Sequence, residues 1–171
     1  TVDQAVTFKK AAGGAPFNVA VGCARLGLEA GFMGKVGRDP FGYYLRDVLK
    51  REGVDHSQLK FSSQARTGLA FVAVDDHGER EFSFFRHPSA DTLHRPEEVP
   101  EAYLAQARLL HVGSISAIQD PSRSATYRAL EMARKNGLWI SFDPNLRLSL
   151  WHDQASARQE IRRMWPYAQL I

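Results

Sequence analysis

The sequence predicts an α/β fold, a layer of helices on a parallel sheet, with a β-hairpin flap standing apart from it. Two observations carry this reading. Short β-rich runs alternate with amphipathic helical runs, the rhythm that a parallel sheet with crossover helices imposes. Two further β-rich runs, "TGLAFVAV" (67–74) and "EREFSFFR" (79–86), are joined only by "DDHG", which leaves no room for a crossover and reads as a hairpin. The 171 residues suffice for one core and are too few for two comfortable domains.

The elements follow in order. Residues 15–26 read as a helix, with Gly27 as its stop. "GFMGKVG" (31–37) reads as a short buried strand. In "RDPFGYYLRDVLKREG", Asp39 can cap a helix and Pro40 can take its first position. Apolar Phe41, Tyr44, Leu45, Val48 and Leu49 then fall at helical spacing. After the hairpin, "LLHVG" (109–113) is a strand, Pro121 to Asn136 a helix, and "LWISF" (138–142) a strand of the parallel type. A last helix starts near Asp153, with Ala157, Ile161, Met164 and Trp165 on one face. The chain has no internal repeat and no low-complexity segment.

Composition excludes several classes of function. Hydrophobic residues make up 44% and charged residues 24%, an ordinary globular balance. The net charge is +3, and the basic residues form no stripe that would point to nucleic acid. Runs such as "GLAFVAV" are too short to span a membrane. The single cysteine, Cys23, rules out an internal disulfide and points to a reducing, cytoplasmic setting. Within its apolar helical run Cys23 is expected to be a small buried hydrophobe. The chain opens at Thr1, so it does not reveal whether a targeting segment precedes it. The six histidines show no HxxxH pair and have no cysteine partners, so no metal site is predicted. No G-x-S-x-G elbow supports hydrolysis.

Three loops follow the ends of parallel-type strands: "GRDP" (37–40), "GSIS" (113–116) and "DPNLR" (143–147). Ligands of open α/β sheets bind beyond such ends, so these loops form the default rim of a site. In "AAGGAPFNVAVGCARLG" (11–27), Gly13 and Gly14 let backbone approach a ligand without a Cβ in the way. Asn18 offers donors and an acceptor that suit neighbouring sugar hydroxyls; the alternative is a plain glycine turn with Asn18 as a capping residue. The spacing is neither G-x-G-x-x-G nor G-x-x-x-x-G-K-[ST], so the familiar dinucleotide and phosphate loops do not apply. Strand alternation puts Phe82, Phe84 and Arg86 on one face of the flap and Glu81, Ser83 and Phe85 on the other. The first face could cover a polyhydroxy ligand or could simply face a core, with Arg86 snorkelling. Pro144 ends the strand at Asp143 and leaves Asn145 and Arg147 on a loop, where Arg147 could bind phosphate bidentately or make a surface ion pair.

Taken together, "GGAPFNVAVGCARLG", "GKVGRDPFG", "GEREFSFFRHPSAD" and "ISFDPNLRLSLW" resemble stretches of the pfkB (ribokinase-like) carbohydrate kinases, and among them the plant-type and bacterial fructokinases. The resemblance runs from about Phe8 to the last residue. It implies a ribokinase-like α/β fold, a doubly wound and mainly parallel sheet with a small β-sheet lid. Residues 1–171 are then one partial domain whose lid strands occupy about 67–86. It implies transfer of the γ-phosphoryl of Mg-ATP to a sugar hydroxyl, with a monovalent cation such as potassium nearby. Gly13, Gly14 and Asn18 match positions that hold sugar hydroxyls; Phe84 and Arg86 match the lid strand over the sugar. Asn145 and Arg147 match a loop near the transferring phosphate and ATP. The family's first strand, with its sugar-gripping aspartate, and its glycine-rich G-A-G-D segment, with the catalytic base, have no counterpart here. The expectation is therefore the sugar-binding and lid half of a fructokinase that makes fructose 6-phosphate, with the base elsewhere. A 2-keto-3-deoxygluconate kinase, in which Arg86 would meet a carboxylate, is the alternative enzyme. A sugar-binding or dimerisation module without catalysis is the other alternative, since the open strands of the flap could pair with a second copy.

Overall fold

The computed structural model describes residues 2–74 and 77–171. Its elements are α1 (Ala15–Arg25), β1 (Gly34–Gly37), α2 (Pro40–Arg51), β2 (Leu59–Ser62), β3 (Leu69–Val74), β4 (Arg80–Phe85), α3 (Glu101–Leu104), β5 (Leu109–Gly113), α4 (Ser122–Lys135), β6 (Trp139–Asp143) and α5 (Gln154–Met164). The strands pair two by two. β1 and β2 are parallel, with Gly34 beside Leu59; β5 and β6 are parallel, with Leu109 beside Trp139; β3 and β4 form an antiparallel hairpin, with Leu69 beside Phe85. Asp75 and Asp76 of the expected "DDHG" turn lie outside the described residues.

Local chemistry explains the boundaries. Asp39 caps α2, its Oδ1 accepting the backbone N–H groups of Phe41 and Gly42, and Pro40 sits at the first helical position. Asp153 caps α5 by accepting the N–H of Ser156. Helices α1, α2 and α4 stop alike. Gly27, Gly53 and Gly137 adopt positive φ, and the N–H groups of Leu28, Val54 and Leu138 bond back to Cys23, Leu49 and Ala133.

Two main cores result. Phe17, Ala20, Val36, Val48, Leu49, Val54 and Leu59 pack α1, α2 and the β1–β2 pair together. Val112, Leu130, Ile140, Phe142 and Met164 pack α4 and α5 on one face of β5–β6. Alternation turns Gly113 to the opposite face of β5 from Val112, and there the N-terminus of α1 lies.

Several expectations need correction. Strand β2 has no clear signature in the sequence, because "LKFS" carries only two strongly apolar residues and little contrast to its neighbours. Phe41 and Trp165 are exposed, since α2 and α5 bury narrower stripes than the spacing suggested. Cys23 is half-buried and not fully internal.

Candidate functional site

The three rim loops start where the sequence placed them, after β1 at Gly37, after β5 at Gly113 and after β6 at Asp143. Around the latter two, the chain converges with the start of α1. A Cβ added to Gly113 would lie 3.6 Å from Pro16 and 3.7 Å from the carbonyl oxygen of Asp143, so α1, β5 and β6 meet within van der Waals reach.

Gly14 is the N-cap of α1, at φ 111°, a conformation that side chains rarely adopt. A Cβ on exposed Gly13 would meet nothing within 4 Å, so the space beside it is open to a ligand. Asn18 is not a cap. It lies one turn into α1, its N–H bonded to the carbonyl of Gly14 at 2.8 Å. Helical side chains tilt toward the N-terminus, which leans the exposed Asn18 amide back over the Gly14 turn. That amide makes no hydrogen bond among the described residues. Bare backbone and a free amide thus share one surface.

The hairpin supplies a wall. Phe82 and Phe84 do share a face, their rings stacked at 5.8 Å and 7°. The other face is closed by Phe71 against Phe85 and Phe8, at centroid distances of 5.3 and 4.9 Å. Arg86 is not free to join Phe84. Its guanidinium pairs with Asp91 and its side chain is 13% exposed, because the chain after β4 turns into the 89–93 segment and brings that carboxylate to it.

The loop after β6 completes the arrangement. Asn145 is the single non-glycine residue of positive φ (35°) among the described residues, and its N–H bonds to Asp143 Oδ1 at 2.9 Å. Arg147 reaches the flap: its guanidinium carbon lies 5.6 Å from the centre of the Phe82 ring. Among the described residues its one hydrogen bond runs to the neighbouring Leu146 carbonyl, so most of its five donors are open there.

Two buried ties hold these parts, and sequence reasoning missed both. Asp39 reaches past its own helix to the base of the flap. Its Oδ2 accepts the Thr67 N–H at 2.7 Å, and its Oδ1 accepts the Thr67 hydroxyl at 2.8 Å. Burial alone would raise the pKa of Asp39, but the hydrogen bonds from Thr67, Gly42 and Phe41 outweigh it and hold the carboxyl below its ordinary value. A Cβ at Gly37 would collide with this carboxylate and the Thr67 backbone, so glycine is required there. The second tie is Ser114, fully buried, whose hydroxyl donates to the Pro144 carbonyl and pins the loop that bears Asn145 and Arg147. Below it His111 shares a 3.1 Å contact with Ser141, and burial lowers its pKa despite the nearby Asp143. No cluster of three or more metal-ligating side chains occurs among the described residues, and no helix among them is long and apolar enough to cross a membrane.

The sequence profile of the pfkB family carbohydrate kinases matches residues 1–171. The chain belongs to this family. A relative described as probable fructokinase-7 of Arabidopsis thaliana is 49% identical over 168 residues, covering 98% of this chain and 49% of that protein. Two solved structures superpose closely on the pfkB chain. The fructokinase of Xylella fastidiosa with bound ATP has a TM-score of 0.88 at 38% identity, over 94% of this chain and 49% of the other. A double mutant of the Vibrio cholerae O395 fructokinase, in fructose, ADP and potassium ion bound form, has a TM-score of 0.84 at 38% identity, over 94% of this chain and 51% of the other. The chain thus has the ribokinase-like α/β fold of pfkB proteins and spans about half the length of the relatives it matches.

Proposed function

We propose that the full-length protein is an ATP-dependent kinase that phosphorylates fructose to fructose 6-phosphate, and that this chain supplies its sugar-binding and lid portion. The observation that carries the proposal is Arg147 lying over Phe82. It joins the loop beyond β6 to the aromatic face of the flap, while Pro16, between Gly14 and Asn18, lies against Gly113 at the end of β5. The relatives described as fructokinases support fructose as the sugar.

Each residue then has a physical role. The glycines admit the sugar to bare backbone, and the Asn18 amide meets its hydroxyls. Phe82 and Phe84 cover the ring and exclude water from it. The open donors of Arg147 suit a phosphoryl group, where charge redistributes during transfer; Asn145 is held beside it by its turn. Mg-ATP supplies the phosphoryl group when bound, and the potassium ion of the Vibrio cholerae structure supports a monovalent cation beside it. The exposed Val72 and Val74, on the face of Phe82, suit pairing of two flaps in a homodimer.

Asp91 already holds Arg86, which favours a neutral sugar over 2-keto-3-deoxygluconate, whose carboxylate would have to displace that partner. ADP formation by the full-length protein, measured with each substrate, tests the reading. Fructose should give the higher kcat/KM. A preference for the sugar acid, or binding of fructose without turnover, would overturn it in favour of the acid kinase or a non-catalytic module.

A further inference from the structure

We infer that Asp91 decides which sugars the flap accepts, given the sugar site proposed above, on which this rests. With Asp91 in place the base of the flap takes a neutral hydroxyl. Without it, the Arg86 guanidinium becomes a binding site for the carboxylate of a sugar acid.

Three residues meet at the base of the flap. Arg86 stands one position beyond β4 and two residues on from Phe84. A Cβ added to Gly68 would lie 3.4 Å from Arg86 Cγ and 3.2 Å from Asp91 Oδ1. The bare Gly68 thus leaves the room in which guanidinium and carboxylate pair. The aromatic pair of the flap has a cation at each end. Arg147 lies over Phe82, while Arg86, about 7 Å along an extended chain from Phe84, has its charge met by Asp91.

Exposure and anchoring determine which member of the pair a ligand meets. The Arg86 side chain is 13% exposed and that of Asp91 40%, so the carboxylate is the more accessible partner. It is also held in place. The hydroxyl of Ser89, a residue only 1% exposed, donates to Asp91 Oδ1 at 2.6 Å, and the N–H of fully buried Ala90 bonds to the Arg66 carbonyl at 2.8 Å. A sugar acid would bring a second carboxylate against this anchored one, and would have to displace it to reach the guanidinium. A neutral sugar brings a hydroxyl, from which the carboxylate can accept. Discrimination of this kind rests on a repulsive group as much as on an attractive one. Removing Asp91 reverses the preference, because the freed guanidinium fork matches a carboxylate through two parallel hydrogen bonds.

The test uses full-length protein and reads binding apart from turnover. Calorimetric titration with 2-keto-3-deoxygluconate, without nucleotide, should show binding to Asp91→Ala at least about tenfold tighter than to the native protein, the gain of one charge-assisted contact. Asp91→Asn, which removes the charge and keeps the shape, is the second variant should the first not fold, and its affinity for the acid should rise in the same direction. Adding Arg86→Ala to either variant should cancel the gain, which a merely structural role for Asp91 would neither produce nor lose. In turnover, the ratio of kcat/KM for the acid to that for fructose should rise by a similar factor. Unchanged or weaker binding of the acid in both variants, a gain that survives Arg86→Ala, or native protein that binds the acid as tightly as the variants would each overturn the role of Asp91. Fructose turnover by the native protein is scored separately: its absence counts against the kinase reading, whereas the titrations decide Asp91.

Discussion

Replacing Asp39 by alanine should loosen the flap from the rest of the molecule, and the cost can be worked from its contacts. Asp39 is 5% exposed, and its two oxygens accept four hydrogen bonds: from Phe41 N–H at 3.0 Å, Gly42 N–H at 2.9 Å, the Thr67 hydroxyl at 2.8 Å and Thr67 N–H at 2.7 Å. Loss of the helix cap costs about 1 kcal/mol. The Thr67 N–H is left buried and unpaired, at about 1–3 kcal/mol, and its hydroxyl loses a charge-assisted bond of similar size. Because these groups share one partner the terms are not additive, and about 3–5 kcal/mol is expected in total. Denaturant unfolding at neutral pH measures it, and hydrogen exchange at Thr67 should accelerate in parallel. Asp39→Asn should cost less, since it keeps the Oδ1 bonds and turns only one donor against Thr67 N–H. A loss below about 1 kcal/mol for the alanine variant would refute the latch, that being the value of the cap alone.

The same carboxylate fixes a pH dependence. Its folded-state pKa lies below the ordinary value of 3.8, so on acidification the unfolded chain takes up the proton first. Its contribution is therefore complete above the ordinary value and is lost as the pH falls through the folded one. Asp39→Asn has no such proton to bind. The stability gap between the native protein and this variant should narrow below about pH 4. A gap that stays constant down to acid unfolding would contradict the assignment.

Three further outcomes concern activity in the full-length protein and the chain by itself. Asn18→Ala should raise the sugar KM by roughly 5- to 150-fold, the equivalent of about 1–3 kcal/mol for a lost buried hydrogen bond; an unchanged KM removes Asn18 from the sugar site. Arg147→Ala should lower kcat more than it raises the sugar KM, because a cation beside the transferring phosphoryl acts where charge redistributes. A change confined to the sugar KM would put Arg147 in the sugar pocket instead. The 171-residue chain made alone should form no ADP from fructose and Mg-ATP, since the sequence contains no G-A-G-D segment to supply a base. It should also self-associate in light scattering, because Leu109 and Trp139, paired across β5–β6, expose 45% and 58% of their surface on one face. Turnover near that of an intact fructokinase would refute the missing-base argument.

What the sequence disclosed and what it withheld divide by distance along the chain. The Asp39-Pro40 cap, the stop at Gly27, and the shared face of Phe82 and Phe84 rest on neighbours within a turn or a strand repeat, and all are in place. The ties that make a site of them span more chain. Asp39 reaches Thr67 across 28 positions and Ser114 reaches Pro144 across 30, and no periodicity records such a bond. Arg86 shows the same limit from the other side. Alternation set it on the face of Phe82 and Phe84, but β4 ends at Phe85, and no local pattern showed that Asp91, five residues on, would take its charge. That distinction bears on function. In the proposed site the residues read from local pattern face the ligand, whereas those found only in the fold set where they stand. If so, Ser114→Ala should leave Asn145 and Arg147 chemically intact yet misplaced: kcat should fall while the sugar KM, governed by Gly13, Gly14 and Asn18, holds nearly steady. Ser114→Thr, which keeps the donor, should restore most of the loss. Equal loss in both variants would mean that Ser114 only fills space between β5 and β6, and that the loop finds its position without it.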